Sequence, residues 1–538
     1  MSAAVTDRPF RLLFPEGYTR PAAPLPDDSF LKTLQIDRMV ALRRESFRGL
    51  MDLRLERFFT CDEQVLAYRA DVVDDLVRDP ALLALIDEGL PRIRDLHEMR
   101  KVLGGVDADL ESNLSCTRCL EMYLQTMELF HTRLAAAQPR SEGLRELKRR
   151  IDERWNSPED THLRQHLEKT QYKIGHVRSI ALGINLDGTL KVTEAGLLAV
   201  NTEPYCMGSL MDKLLGRQGK DPMVCISGFA NVAKTSRDAE KAVLNNAVQN
   251  ALYGIFARTV KTWAPVIDKY YNDQARFFVD LLDDFRFLSA AVHFLLELKE
   301  KGCPLCRPVI RPMTEKALRL KNVCNPMLAM KGLDETLVCN DFTCDEQGRF
   351  FLITGPNHGG KSIFCYAVGM AQALFQLGLL VPAEAAELSP VRCIFTHFPT
   401  SDEDNYGKGR LESECARMSA VLRKLTEQDL LLMDESFSST SLLEGSYIAG
   451  EVIRAVNVIG CSGLFVTHIH ELTQKLDEFN AVEGRRGCVD NLVAQMESVA
   501  DGTRSYRVLR TTPDGLSYAK DIARKYGLSM EEILGARP

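Results

Sequence analysis

Nowhere in the 538 residues is there a charge-free apolar run of about 18, the length a membrane-spanning helix requires, so no span is expected. Residues 1–29 hold no apolar leader core and are rich in Pro and Asp, which argues against a secretory signal. Excess positive charge is missing too: 67 Lys and Arg face 74 Asp and Glu, a net charge of −7. The chain as a whole is therefore not a basic nucleic-acid binder, and any such contact needs a local basic patch. Internal repeats and low-complexity tracts are also missing. The 15 cysteines are scattered and odd in number, with Cys365, Cys393 and Cys461 inside apolar runs. That usage suits a reduced, cytoplasmic protein with Cys as a small hydrophobe. Two C-x-x-C pairs, Cys116/Cys119 and Cys303/Cys306, have zinc-ligand spacing. They lie far apart and the first falls in a helical pattern, so packing is the expected role.

What is present is organisation. The length allows two or more domains, and 45% apolar with 26% charged residues is ordinary for a globular chain. Residues 1–44 read as an irregular arm, with four prolines from Pro15 to Pro26. From there to residue 305 the pattern is mainly helical. Val65, Tyr68, Val72 and Leu76 recur at helical steps behind Asp62 as a plausible N-cap. Ser179–Ile184 and Leu190–Thr193 flank Asp187-Gly188 as a hairpin, and residues 214–230 look loop-like. A helical stretch over about 235–300 carries the stripe Phe277, Leu281, Phe285, Leu288, Val292 and Leu295, which reads as core packing. About 35 residues of it would make a rod of roughly 50 Å. Gly302-Cys303-Pro304 breaks the pattern. Residues 306–538 then alternate helical patterns with the apolar runs Phe350–Thr354, Val391–Thr396, Leu430–Met433 and Leu464–Thr467, the logic of an α/β sheet.

The chemistry sits in this last region. Gly355-Pro356-Asn357-His358-Gly359-Gly360-Lys361-Ser362 matches G-x-x-x-x-G-K-[ST] between an apolar run and a helical one. Glycines let backbone N–H groups turn inward around phosphates, and the following helix N-terminus favours negative charge. Lys361 would reach the β- and γ-phosphates of ATP, and the Ser362 hydroxyl would ligate Mg²⁺. Asp434 and Glu435 end a strand 73 residues after Lys361. Asp434 suits a Mg²⁺ ligand and Glu435 a base that orients or deprotonates the attacking water. His468, behind a third apolar run, is placed to sense the γ-phosphate or position water.

These residues resemble the MutS family, whose ATPase domain is of the ABC class. Ile353–Asn357 with Gly359–Ser362, Met433-Asp434-Glu435 with Ser439-Thr440-Ser441 and Gly445, and Thr467-His468 with Glu471-Leu472 carry the likeness. Asn325-Pro326, Asn340-Asp341, Ile394-Phe395-Thr396 leading to Ser401-Asp402, and Gly515-Leu516-Ser517-Tyr518-Ala519 add to it. Asp62–Arg69 and Leu182–Leu186 resemble pieces of the family's core and lever, so the matches span about residues 50–530 and are dense only after 320. The resemblance implies an α/β C-terminal P-loop (ABC-class) ATPase domain preceded by a mainly α-helical core and lever with a reduced clamp. It implies ATP and Mg²⁺, a homodimer, DNA as a partner, and a cytoplasmic or nucleoid-associated location.

It also implies departures. Each nucleotide would lie between the P-loop of one subunit and a signature segment of the other. Gly409-Arg410-Leu411-Glu412-Ser413 occupies that position, with Ser413 as the candidate contact. The family has adjacent Ser and Thr, then Phe. Here Glu412 and Glu414 would bring negative charge towards a γ-phosphate, which Arg410 or Arg417 would have to offset. The His358 side chain is assigned no role. No aromatic stands where the family stacks adenine, and Leu337 sits closest. Phe14-Pro15-Glu16 spells the family's mismatch wedge, but core-like sequence begins near residue 50, so the spelling reads as coincidence. Mismatch-recognition, connector and terminal nuclease-like domains are all expected to be missing. DNA contact would rest on Lys148, Arg149 and Arg150, or on Lys213, Arg217, Lys220, Lys234 and Arg237. Glu146, Asp152 and Glu153 dilute the first group. The competing reading is an ATP-switched protein-interaction module that does not bind DNA.

Overall fold

Asp62 starts the first long helix. Its carboxylate accepts hydrogen bonds from the N–H groups of Gln64 and Val65 at the head of Glu63–Arg78. Val65, Tyr68, Val72 and Leu76, the predicted stripe, are all buried. The stripe from Phe277 to Leu295 is buried as well, but it is not carried by one unbroken helix: Leu281 is a turn, and the helix Leu282–Glu300 follows it before Gly302 turns the chain at φ 76°. Burying such a face, rather than intrinsic propensity, supplies most of a helix's stability.

The computed structural model describes residues 10–18, 25–41, 53–103, 110–175, 179–186, 192–203, 206–207, 224–225, 276–332, 337–399, 409–498 and 503–512, with residues 188, 527 and 533. The helical stretch expected from 235 therefore enters the description only at 276. Lys213, Arg217, Lys220, Lys234, Arg237, Ser401, Asp402 and residues 515–519 lie outside the described residues.

Two compact units emerge. One comprises residues 91–136 and 148–282. It contains the helices Leu110–Ala136 and Pro158–Gly175. Phe278 packs there against Tyr123 and Phe130, with ring centroids 6.0 and 5.3 Å away. Its hairpin is the predicted one: Ser179–Leu186 pairs antiparallel with Val192–Asn201, Ser179 opposite Asn201.

The other unit comprises residues 1–90, 137–147 and 283–538. Within the N-terminal segment, Ser29–Thr33 and Arg38–Ala41 are short helices, and Leu12, Leu13 and Phe30 are buried. Asp284 accepts from the Arg11 guanidinium at 2.7 Å and from the Leu12 N–H at 2.9 Å. Phe14 lies between the guanidinium groups of Arg11 and Arg69, which are 5.2 and 5.1 Å from its ring centre. That is a packing role.

Nine strands of this unit matter for the site. They are β1 (Leu318–Val323), β2 (Asn340–Cys344), β3 (Phe350–Thr354), β4 (Ala385–Leu388), β5 (Ile394–His397), β6 (Leu430–Asp434), β7 (Ser462–Val466), β8 (Val489–Ser498) and β9 (Thr503–Arg510). A six-stranded sheet has the order β5-β6-β7-β3-β8-β9, parallel except for the β8–β9 pair. All five residues of β3, β6 and β7 are buried, which is why each reads as an unbroken apolar run. The helices α1 (Lys361–Gln376), α2 (Arg410–Leu422) and α3 (Leu442–Ile459) follow β3, β5 and β6 in the chain. Val309–Ile310, β4, β1 and β2 form a second, four-stranded sheet. Parallel strands with helical crossovers leave their carboxyl ends on one edge, where ligands of such sheets bind.

Candidate nucleotide-binding site

Three neighbouring parallel strands, β6, β7 and β3, deliver the predicted chemistry to that edge. β3 runs into the glycine loop. Gly355 has φ 127°, and a Cβ there would meet the Ala494 carbonyl oxygen at 2.7 Å. Gly360 has φ 87° and caps α1 without any side-chain acceptor. Its position leaves the first N–H groups of α1 to an anion. Asn357 and His358 are exposed, and His358 also takes a left-handed φ of 59°. Pro356 and Gly359 are buried and close a turn, Gly359 N–H to Pro356 O at 3.1 Å. The Lys361 ammonium is buried and donates to the carbonyls of Gly355 and Pro356, both at 2.9 Å.

The Ser362 hydroxyl donates to Asp434 at 2.8 Å. Burial pushes the Asp434 carboxyl up to about 6, while the Ser362 bond opposes the shift and the Glu435 charge adds to it. A buried carboxylate beside a hydroxyl is a hard-oxygen donor set that a small divalent cation would stabilise. Beside it, His468 Nε2 lies 2.7 Å from Glu435 Oε1, and both side chains remain partly open to solvent. Glu435 is held by its N–H to the Val466 carbonyl at 2.9 Å and carries φ 48°, Phe437 φ 64°. Left-handed backbone at non-glycine residues costs on the order of 1 kcal/mol each and persists only where the surroundings hold it.

Glu414, which the sequence places as an acid facing a γ-phosphate, holds the second of them instead. Rather than pointing outward from α2, its side chain is buried and accepts the Phe437 N–H at 2.8 Å. Arg410 is 3.9 Å from Glu414, and Arg417 donates to the Phe398 carbonyl, so both basic residues of the segment have partners within this chain. His397 completes the link. Its Nε2 meets the Glu414 carbonyl at 3.1 Å and its Nδ1 the Ser436 hydroxyl at 2.7 Å. A carbonyl only accepts, so the proton sits on Nε2 and Nδ1 accepts from Ser436. Burial lowers His397 to about 4, so it is neutral at ordinary pH. Ser413 lies on α2, its N–H bonded to the Gly409 carbonyl.

Two asparagines brace the loop from outside. Asn325 donates to the Ile363 carbonyl at 3.1 Å; Asn340 donates to the Tyr506 carbonyl at 3.1 Å and accepts from the Val508 N–H at 2.8 Å. Tyr506 is a residue that sequence reasoning missed. Its ring carbon lies 3.5 Å from where a Cβ on Gly360 would be, whereas Leu337 was the nearest candidate by sequence. A lone Tyr in an alternating strand carries no sequence signal of this approach. Among the described residues no group of three or more His, Cys, Asp or Glu is placed to hold a metal ion, and the Cys116 side chain is outside the description. No helix among them is long and apolar enough to cross a membrane.

Two family models match the chain. The family model "MutS domain V" matches residues 351–533, the stretch that holds the loop, Asp434, Glu435 and His468. "MutS2 N-terminal domain" matches residues 61–301. The chain belongs to the MutS family. Among curated relatives, the DNA mismatch repair protein MutS of Chlorobaculum tepidum is 33% identical over 234 residues, 43% of this chain and 26% of that protein. Msh6 of Gallus gallus is 35% identical over 198 residues, 35% of this chain and 15% of that protein. MSH2 of Saccharomyces cerevisiae is 29% identical over 266 residues, 48% of this chain and 26% of that protein. The chain thus spans about a quarter or less of the length of these relatives.

Proposed function

We propose that this MutS-family chain is an ATPase whose nucleotide cycle gates a dimeric clamp on DNA. The observation that carries the reading is the Ser362–Asp434 hydrogen bond, with Lys361 on one side and the Glu435–His468 pair on the other. The loop N–H groups and Lys361 bind and orient the phosphates, so the reacting phosphoryl group is fixed relative to Glu435. Ser362 and Asp434 would hold Mg²⁺, which supplies charge neutralisation at the phosphates. Glu435 orients the attacking water and takes its proton, and His468 holds the Glu435 carboxylate in place. Tyr506 offers an aromatic face beside the loop.

The dimer draws support from the start of α3. Leu442, Leu443 and Tyr447 are 56, 83 and 71% exposed on the helix that follows the strained Glu435 corner, and Leu411 of α2 lines one groove with Leu443 and Tyr447. Large apolar side chains clustered at the surface mark contact sites. Ser413 is the residue we assign to the nucleotide of the opposing subunit. The proposed organisation is an arm at 1–44, a core, lever and reduced clamp at 45–305, and the ABC-class ATPase domain at 306–538. DNA enters through the relatives, all named for DNA mismatch repair, and the location follows as cytoplasmic, at the nucleoid when DNA is bound.

A second reading is an ATP-switched protein-interaction module. The net charge of −7 favours it, and so does the 2.5 Å ion pair of Arg149 with Glu153, which neutralises part of the described basic cluster. Fluorescence anisotropy with labelled homoduplex, mismatched and branched DNA separates the two. ATP-dependent binding that weakens with salt supports the clamp, because phosphate contacts release counterions. No binding to any DNA at low salt, with or without ATP, would transfer the assignment to the protein-facing switch.

A further inference from the structure

Three cysteines from three separate segments meet beside the nucleotide loop. Cys303 follows the helix Leu282–Glu300, Cys324 follows β1, and Cys339 precedes β2. The sulfurs of Cys303 and Cys324 are 3.3 Å apart, and both residues are buried. Cys339 is half-buried and directly precedes Asn340, which faces Val323, the residue before Cys324, across the β1–β2 pair; its thiol lies 3.8 Å from the Leu337 carbonyl. We propose that this cluster is a hydroperoxide-oxidisable site in which Cys339 is the entry thiol and the stable product is a Cys303–Cys324 disulfide.

The environment divides the labour. A buried thiol in apolar surroundings is inert, whereas a partly exposed thiol next to positive charge reacts. The neighbouring Cys324 thiol holds Cys339 below the ordinary thiol range, and the Arg507 charge acts in the same direction; Arg507 also donates to the Cys339 carbonyl at 2.7 Å. Cys324 is raised by its bonds to Cys303 and Cys339 and by burial, so it keeps its proton and waits for an activated partner.

The chemistry balances with hydrogen peroxide as oxidant. The Cys339 thiolate attacks one peroxide oxygen, the O–O bond breaks, and the departing hydroxide takes a proton to become water, leaving a sulfenic acid. Cys324 attacks that sulfur; the S–S bond forms, the S–O bond breaks, and a second water leaves. Cys303 then attacks the Cys324 sulfur and releases Cys339 as a thiol. In sum, Cys303 and Cys324 lose two electrons, one peroxide becomes two waters, and Cys339 is regenerated. The oxidised pair would tie the end of a long helix to the residue before Asn325, whose side chain bonds the first turn of α1. This site does not depend on the ATP reading.

The test uses the full chain, reduced, freed of reductant, exposed to hydrogen peroxide, quenched with N-ethylmaleimide and mapped by tandem mass spectrometry. The expected result is a Cys303–Cys324 linked peptide that reductant reverses. In Cys339→Ser its formation slows about tenfold or more. In Cys324→Ser the sulfenic acid has no resolving partner and is trapped at Cys339 by dimedone. No Cys303–Cys324 link in the wild type, an undiminished rate in Cys339→Ser, or no Cys339 adduct in Cys324→Ser would each overturn the proposal.

Discussion

The glycine-loop edge of the sheet and helix α2 lie in the same unit, yet they teach opposite lessons. At the edge, each predicted side chain stands at or just beyond the carboxyl end of a buried parallel strand, so strand order brings Ser362 to Asp434 across 72 positions and Glu435 to His468 across 33. Lys361, Ser362, Asp434, Glu435 and His468 therefore come together as the spacing predicts. On α2 the same kind of local inspection fails. By sequence Glu414 brings negative charge towards a γ-phosphate, but in the fold it is drawn inward by an N–H donor 23 residues away. That partner lies past the strand end in a turn that no motif spacing marks, whereas the edge residues sit in motifs tied to strand ends.

The largest effect expected at the edge is in Glu435→Gln. Turnover should fall by roughly 10²–10⁴, the usual contribution of a general base, with ATP binding retained. Normal turnover would remove Glu435 from the chemistry. Lys361→Ala comes next: losing a charged donor to the phosphates should weaken ATP binding by roughly 10–100-fold, readable with a fluorescent analogue. Unchanged affinity would count against the loop itself.

On α2 the comparison sharpens through Glu414. Glu414→Ala leaves the Phe437 N–H buried without an acceptor, at a cost of about 1–3 kcal/mol of stability. Glu414→Gln keeps an acceptor oxygen and should recover most of it. If instead Glu414 acts on a nucleotide across a subunit boundary, Ala and Gln would change turnover alike and leave the denaturation midpoint alone.

The remaining effect is a pH dependence, spread over more than two pH units. His397 is held neutral in the fold at about 4, against 6.5 when unfolded. The unfolded chain therefore binds the proton first. The stabilising contribution is complete above about pH 6.5 and is lost as pH falls towards 4, on the order of 3 kcal/mol in all. His397→Gln should flatten the stability profile in that window relative to the wild type. Parallel profiles would show that His397 titrates alike in both states.

Much of the fold was legible. Asp62 as a cap, the stripe from Phe277 to Leu295, the hairpin around Gly188 and the four apolar strands are signals carried by neighbours in sequence. What was not legible depends on long-range closure. Tyr506 reaches Gly360 from a strand 146 positions later, Cys324 meets Cys303 across a helix end, and Phe14 settles between Arg11 and Arg69. None of these pairings has a local spacing to announce it.

The most direct measurement of the central claim is the steady-state rate of ATP hydrolysis by the full chain, with and without Mg²⁺, alone and with homoduplex, mismatched and branched DNA at low and moderate salt. The account predicts hydrolysis that needs Mg²⁺, vanishes in Glu435→Gln, and responds to DNA in a way that salt removes. A wild-type rate no higher than that of Glu435→Gln under every condition would contradict it.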